Sequence, residues 1–186
     1  VQKQVDAIYT NLNEIPDTRG GQQLQSAIVV IDNSTGDIVG IAGGTGEKTE
    51  FFGWDRAQNE LQSGSSIKPI SVYGPAFEMG VITPASVVKD LPLNYDDGNW
   101  PRNDNWKYNY SRTIYSAVTS SVNAVCAWTL DAIGTDYSYD FAKNKFGLST
   151  LIDDSDNDYA PLAMGAQTWG VTVRDMASAF ATYANK

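Results

Sequence analysis

The chain has 186 residues, 42% apolar and 11% aromatic, which suits one ordinary core and excludes wholesale disorder. Its net charge of −9, with lysines and arginines scattered singly, excludes a nucleic-acid binder and argues against an anionic membrane surface, because no basic stripe exists to replace counterions. There is no histidine, so a Ser-His-Asp triad, a Cys-His dyad and nearly every common zinc site are removed, and an acyl-transfer base must be a lysine, a carboxylate or water.

Val1, Val5, Ile8 and Leu12 recur at helical spacing over residues 1–14, and Pro16 ends the pattern. Residues 26–32 read as a buried strand and 38–42 as its partner, with Asn33-Ser-Thr-Gly-Asp37 supplying the turn. Residues 43–63 read as loop. From Ser65 to about Gly80 the pattern is helical, with Ile67, Ile70, Phe77 and Met79 among its apolar positions. Residues 91–112, dense in Asn, Asp, Trp and Tyr, read as loop. Ile114, Val118, Val122, Val125 and Ile133 predict a helix over 113–133 with a break near Ser120-Ser121. A shorter helix fits 136–146, and the acidic run 153–158 reads as surface loop. A last helix, capped by Thr172 with Asp175, is expected to bury Val173, Met176, Ala177, Phe180 and Ala184. Two strands and several helices indicate an α+β or α/β unit, and a lone hairpin is marginal in water, so further strands are expected to complete the sheet. The only cysteine, Cys126, precludes an internal disulfide and reads as a buried small apolar residue. No apolar run approaches the ~20 residues of a membrane span, so any anchor is expected outside this chain.

A serine three residues before a lysine on a helix places both side chains on one face, about a turn apart. At a helix start the orphan N–H groups favour charge developing on the serine oxygen, and a partly desolvated lysine can accept its proton. Two such pairs exist, Ser65-Ser-Ile-Lys68 and Ser86-Val-Val-Lys89. Context favours the first, because Ser65 follows Gly64 and opens a helix, whereas Ser86 lies in a short segment between prolines and Lys89 reads as a solvated surface residue. A lysine-assisted serine also needs a second hydroxyl to relay protons and an amide to hold a peptide, in a Ser-x-Asn pattern. Ser155-Asp-Asn157 matches but sits among aspartates. Ser121-Val-Asn123 lies in an apolar helical stretch, where a hydroxyl and an amide need partners, and is the better candidate. The stretch Gly43-Gly-Thr-Gly-Glu-Lys48-Thr49 fails the phosphate-cradle spacing because Glu47 stands where glycine must precede the lysine.

Together these residues resemble the penicillin-binding proteins, most closely their bifunctional class A type. Ala27 through Gly44 looks like the family's first hairpin. Trp54-Asp-Arg-Ala57 followed by Gly64-Ser-Ser-Ile-Lys-Pro69 resembles the approach to its nucleophile. Ala117-Val-Thr-Ser-Ser-Val-Asn123 resembles the second motif, and Gly170-Val-Thr172 through Met176, Phe180, Tyr183 and Asn185 the helix preceding the third. Ser63 departs from the usual proline, Ile67 from the usual Phe or Thr, and no Lys-Thr-Gly follows residue 123.

The resemblance implies an α+β serine acyltransferase fold, incomplete here. Residues 1–62 would supply a helix, a hairpin and a loop, and 63–186 a mostly helical part. It implies a peptidoglycan DD-transpeptidase acting on D-Ala-D-Ala stem peptides and acylated by β-lactams, at the extracytoplasmic face of a bacterial membrane, with no cofactor or metal. Ser65 would be the nucleophile and its N–H an oxyanion donor, Lys68 the base, Ser121 the proton relay and Asn123 the substrate-binding amide. The missing sheet strands would come from a following segment, a domain swap or a second chain. A DD-carboxypeptidase or β-lactamase, and a penicillin-binding sensor or inactive fragment, remain the competing readings. Trp100, Trp106, Tyr108 and Tyr110 would either line the cleft or pack a loop.

Overall fold

The computed structural model describes residues 1–49, 53–95 and 98–185. Helix α1 (Gln2–Thr10) buries only Val5, while Val1 and Ile8 stay exposed, and Leu12 lies in a separate 3-10 turn. Strands β1 (Ile28–Ile31) and β2 (Ile38–Ala42) pair antiparallel with Val29 opposite Ile41. Their turn is held by Asp32, whose Oδ1 accepts from Ser34 N at 2.8 Å and Ser34 Oγ at 2.6 Å, and Gly36 supplies the left-handed residue at φ 80°.

The segment expected as one helix over 65–80 is three helical registers in series. A 3-10 turn (Gly64–Ile67) passes into a π turn (Pro69–Tyr73) and then helix α2 (Gly74–Glu78). The reason is proline chemistry. Pro69 and Pro75 carry no N–H, so the carbonyls of Ser65 and Ser71 lose their i+4 donors. Lys68 N–H takes the first through a 3-10 bond, and the Ser138 hydroxyl takes the second at 2.5 Å. Phe77 and Met79, expected among the apolar face, are exposed.

The expected loop over 91–112 also needs correction. Strands β3 (Val87–Asp90), β4 (Leu93–Tyr95), β5 (Gly98–Trp100) and β6 (Tyr110–Thr113) form two further two-stranded sheets, β3 with β6 and β4 with β5. These ladders are only three or four residues long and lack an alternating apolar pattern, so their sequence is silent. Residues 50–52 and 96–97, within the two stretches expected as loop, lie outside the described residues.

Helix α3 (Ile114–Thr119) starts on Thr113, whose Oγ1 accepts from Ser116 N, and α4 (Asn123–Ile133) follows after the expected break. Helix α5 (Thr135–Asp140) runs into a π turn (Phe141–Lys145), and α6 (Asp153–Asp156) is a single turn in the acidic run expected as loop. It folds because Asp156 is fully buried, accepting from Ile152 N at 2.9 Å and from Thr168 N at 2.8 Å and Oγ1 at 2.9 Å. A π turn (Ala160–Met164) precedes helix α7 (Val173–Ala181), capped by Thr172 Oγ1 on Asp175 N. Only Ala179 of α7 is fully buried; Phe180, expected inside, is exposed, as is Ala184 beyond the helix end.

The chain forms two compact units, Val1–Leu61 with Val171–Lys186, and Gln62–Gly170. In the first, α1 lies against β2 and α7 against β1. In the second, Ile67, Ile70 and Val72 form a fully buried core with Val125 and Leu130 of α4 and with Leu148 and Leu162. Burying a side chain of this size contributes about 1.5–3 kcal/mol, so α4 is fixed by its all-round apolar burial. The architecture is α+β, with three two-stranded sheets among the described residues. No described helix is long and apolar enough to cross a membrane.

Candidate active site

Every sequence-selected residue lies in the second unit. Ser65 is exposed in the 3-10 turn, and its N–H belongs to the first-turn donors that no carbonyl within the turn can reach. Lys68 follows one turn later and is only 2% exposed. Its Nζ donates to Ser121 O at 2.9 Å, Ser121 Oγ at 3.2 Å and Asn123 Oδ1 at 2.5 Å. Burial pulls the Lys68 amine below the ordinary lysine range. The structure thus brings Lys68, Ser121 and Asn123 into one cluster, and it records no hydrogen bond between that cluster and the Ser65 hydroxyl among the described residues.

The break between α3 and α4 aims this cluster. Val122 N–H reaches back to Ala117 O at 2.9 Å and Ser121 N–H to Val118 O at 3.2 Å, the two bonds of a left-handed helix stop. That stop needs a residue at positive φ, usually glycine. Here it is Ser121, at φ 51°, at a cost of about 1–2 kcal/mol. A glycine would relieve the strain and delete the hydroxyl beside Lys68. One residue on, Asn123 begins α4 and its Nδ2 donates to Arg102 O at 2.7 Å, so its Oδ1 must face the lysine.

The start of the Ser65 segment is anchored from the other side. Gln167, 1% exposed, accepts from Ser63 N at 3.3 Å and exchanges hydrogen bonds with Ser63 Oγ through its Oε1 and Nε2. Gly64 at φ 55° donates its N–H to Gly165 O at 3.3 Å. Gly165, Gln167 and Asn103 are absent from any motif reading. The one available signal was Gly165 itself, a glycine closing an apolar helical run.

The side chains of the rejected pairs find other partners. Ser86 precedes β3 and its Oγ accepts from Thr83 N at 2.9 Å, while Lys89 lies on the strand with Nζ 4.2 Å over the Trp128 ring. Ser155 is exposed in α6, and Asn157 Nδ2 donates to Asp136 at 2.7 Å. Of the aromatic residues, Tyr108 bonds Pro101 O and Trp100 meets Tyr159 edge-on, whereas Trp106 and Tyr110 are exposed, with the Arg102 guanidinium 4.4 Å over the Trp106 ring. Cys126 is fully buried beneath the site, its Sγ 3.6 Å from Ala163 O. Burial pushes its thiol up to about 12. Among the described residues no group of His, Cys, Asp or Glu is arranged to hold a metal.

A family profile for the penicillin binding protein transpeptidase domain matches residues 26–186. Penicillin-binding protein 1F of Bacillus subtilis is 34% identical over 163 residues, covering 88% of this chain and 22% of that protein. Penicillin-binding protein 1A of Clostridium acetobutylicum is 33% identical over 181 residues, covering 91% and 22%. Among solved structures, the penicillin-binding protein PonA1 from Mycobacterium tuberculosis superposes with a TM-score of 0.72 at 26% identity, covering 97% of this chain and 46% of that one. The chain therefore spans less than a quarter of the length of these two curated relatives.

Proposed function

The chain belongs to the penicillin-binding protein transpeptidase family, and we propose that it carries the nucleophile side of a peptidoglycan DD-transpeptidase site. The observation that carries this reading is the buried Lys68 amine, shared between Ser121 and Asn123 one turn below Ser65. Ser65 Oγ attacks the penultimate D-Ala carbonyl of a stem peptide, and Lys68 in its amine form takes the hydroxyl proton. The ammonium so formed donates to Ser121 Oγ, as Nζ does in this structure, while the Ser121 hydroxyl gives its own proton to the departing D-Ala nitrogen, which returns Lys68 to its amine form. Asn123 offers its amide to the peptide backbone. The Ser65 N–H is one oxyanion donor, a role worth about 3 kcal/mol in acyl transfer. An amine of a second stem then takes the acyl group, and a β-lactam leaves it stalled on Ser65.

The site acts at the extracytoplasmic face of a bacterial membrane, with the anchor outside these residues, and the rest of its sheet comes from other segments of the protein or from a second chain. The full-length protein tests the reading with a donor peptide ending in D-Ala-D-Ala and an amine acceptor. Ser65-dependent release of D-Ala with formation of the amide-linked product supports it. Release with hydrolysis alone marks a DD-carboxypeptidase, and acylation by penicillin without peptide turnover marks a sensor.

A further inference from the structure

Resting on that reading, we infer that Asp90 is a positioning residue for the transfer reaction, acting through Asn103 on the Ser121–Asn123 motif. Asp90, at the end of β3, is fully buried. Its Oδ1 accepts from Asn103 Nδ2 at 2.7 Å. Its Oδ2 accepts from Asn109 N at 3.0 Å, Asn109 Nδ2 at 3.1 Å and Arg112 Nε at 3.0 Å. A buried carboxylate is costly unless paired and hydrogen-bonded, and this one is both.

The consequence lies one residue away. Asn103 Nδ2 is spent on Asp90 and on Lys107 O at 2.8 Å, so the amide cannot flip, and its Oδ1 faces Ala124 N at 3.0 Å. Ala124 N–H is an orphan donor in the first turn of α4, and Val122, at the cap position, provides no side-chain acceptor. Asn103 therefore caps α4 from 21 residues upstream. Its neighbour Arg102 gives its carbonyl to Asn123 Nδ2, which turns Asn123 Oδ1 toward Lys68. One loop, pinned by one carboxylate, thus fixes both the start of the helix and the orientation of the substrate-binding amide. The exposed Ser121, strained at φ 51°, is held between the helix stop of α3, this helix start and the lysine.

A merely structural carboxylate would set stability alone; a positioning one also sets the chemical step. Asp90→Asn offers an acceptor to one side only, so either Arg112 and Asn109 or Asn103 faces a second donor. Asn103→Asp puts two carboxylates together. The double exchange, Asp90→Asn with Asn103→Asp, restores a donor–acceptor pair between them and keeps an acceptor toward Ala124 N, but deprives the Lys107 carbonyl of its donor. In the full-length protein, stopped-flow acylation by nitrocefin separates the binding constant from the acylation rate constant k2. Each single variant is expected to lower k2 by about ten- to a hundredfold, and the double variant to recover part of it. Tyr139→Phe, elsewhere in the same unit, is expected to lower the melting temperature without lowering k2. Single variants that melt lower but keep wild-type k2, or a double variant no faster than either single, overturn the inference. Should Asp90→Asn not fold, Asn103→Asp against the double variant makes the same comparison. Nitrocefin acylation that survives Ser65→Ala overturns the functional reading instead.

Discussion

Gly165 lies so close to Gly64 that a Cβ on it would fall 2.1 Å from the Gly64 carbonyl oxygen. The backbone just before Ser65 is therefore seated on the backbone that closes the π turn at Met164. Gly165 also sits at φ 73°, where a side chain is strained. Gly165→Ala is expected to destabilise the protein by about 1–3 kcal/mol and to slow acylation, because the shift required falls on the turn carrying Ser65. Gly80→Ala, with a similar positive φ and open space around it, bears the strain without the collision. Acylation rates and denaturant melts of the two variants side by side check this; equal acylation rates would show that the close approach is unimportant.

With Lys68 proposed as the base, acylation is expected to have a pH dependence of defined sign. Burial lowers its pKa from the ordinary 10.5. Below the lowered value the ammonium cannot take the Ser65 proton; above it the amine can. Acylation should rise with pH through that lowered value and level off before 10.5 is reached. The same shift means the folded chain binds fewer protons between the two values, so stability also rises with pH across that window. A pH–rate profile still climbing at the ordinary lysine value would contradict the assignment.

Asp156 shows the opposite outcome for an apparent motif. It stands inside Ser155-Asp-Asn157, yet its carboxylate is spent on Ile152 and Thr168. Asp156→Ala is expected to cost about 3 kcal/mol, since buried donors lose a charged acceptor. Ser155→Ala should leave acylation unchanged. Urea denaturation and acylation rates measure the two arms.

Cys126 is predicted to be inert while the protein is folded. With its thiol buried and pushed up to about 12, almost no thiolate exists at neutral pH. A maleimide should label it only after denaturation. Stoichiometric labelling in native buffer would show that the core beneath Lys68 opens.

The cluster of the candidate site was legible because its residues are close in sequence within each pair. Ser65 and Lys68 share a turn, and Ser121 and Asn123 flank a break announced by two adjacent serines. Its supports were not. Asp90, Asn103 and Ala124 meet across 13 and 21 residues, through hydrogen bonds that leave no periodic trace. The hairpin β1–β2 was readable from its turn chemistry, whereas β3 to β6 are too short to show a period. The change of helical register after Lys68 was written in Pro69 and Pro75, but an apolar spacing that fits an α-helix hid it. The acidic run misled in the other direction, since composition reports solvation and cannot show which aspartate of several turns inward.

The most direct test of the account is to treat the full-length protein with a fluorescent penicillin, digest it and locate the adduct by mass spectrometry. One adduct is expected, on the peptide containing Ser65, absent in Ser65→Ala and retained in Ser86→Ala. An adduct on the peptide of Ser86, Ser121 or Ser155, or labelling that persists in Ser65→Ala, would contradict it.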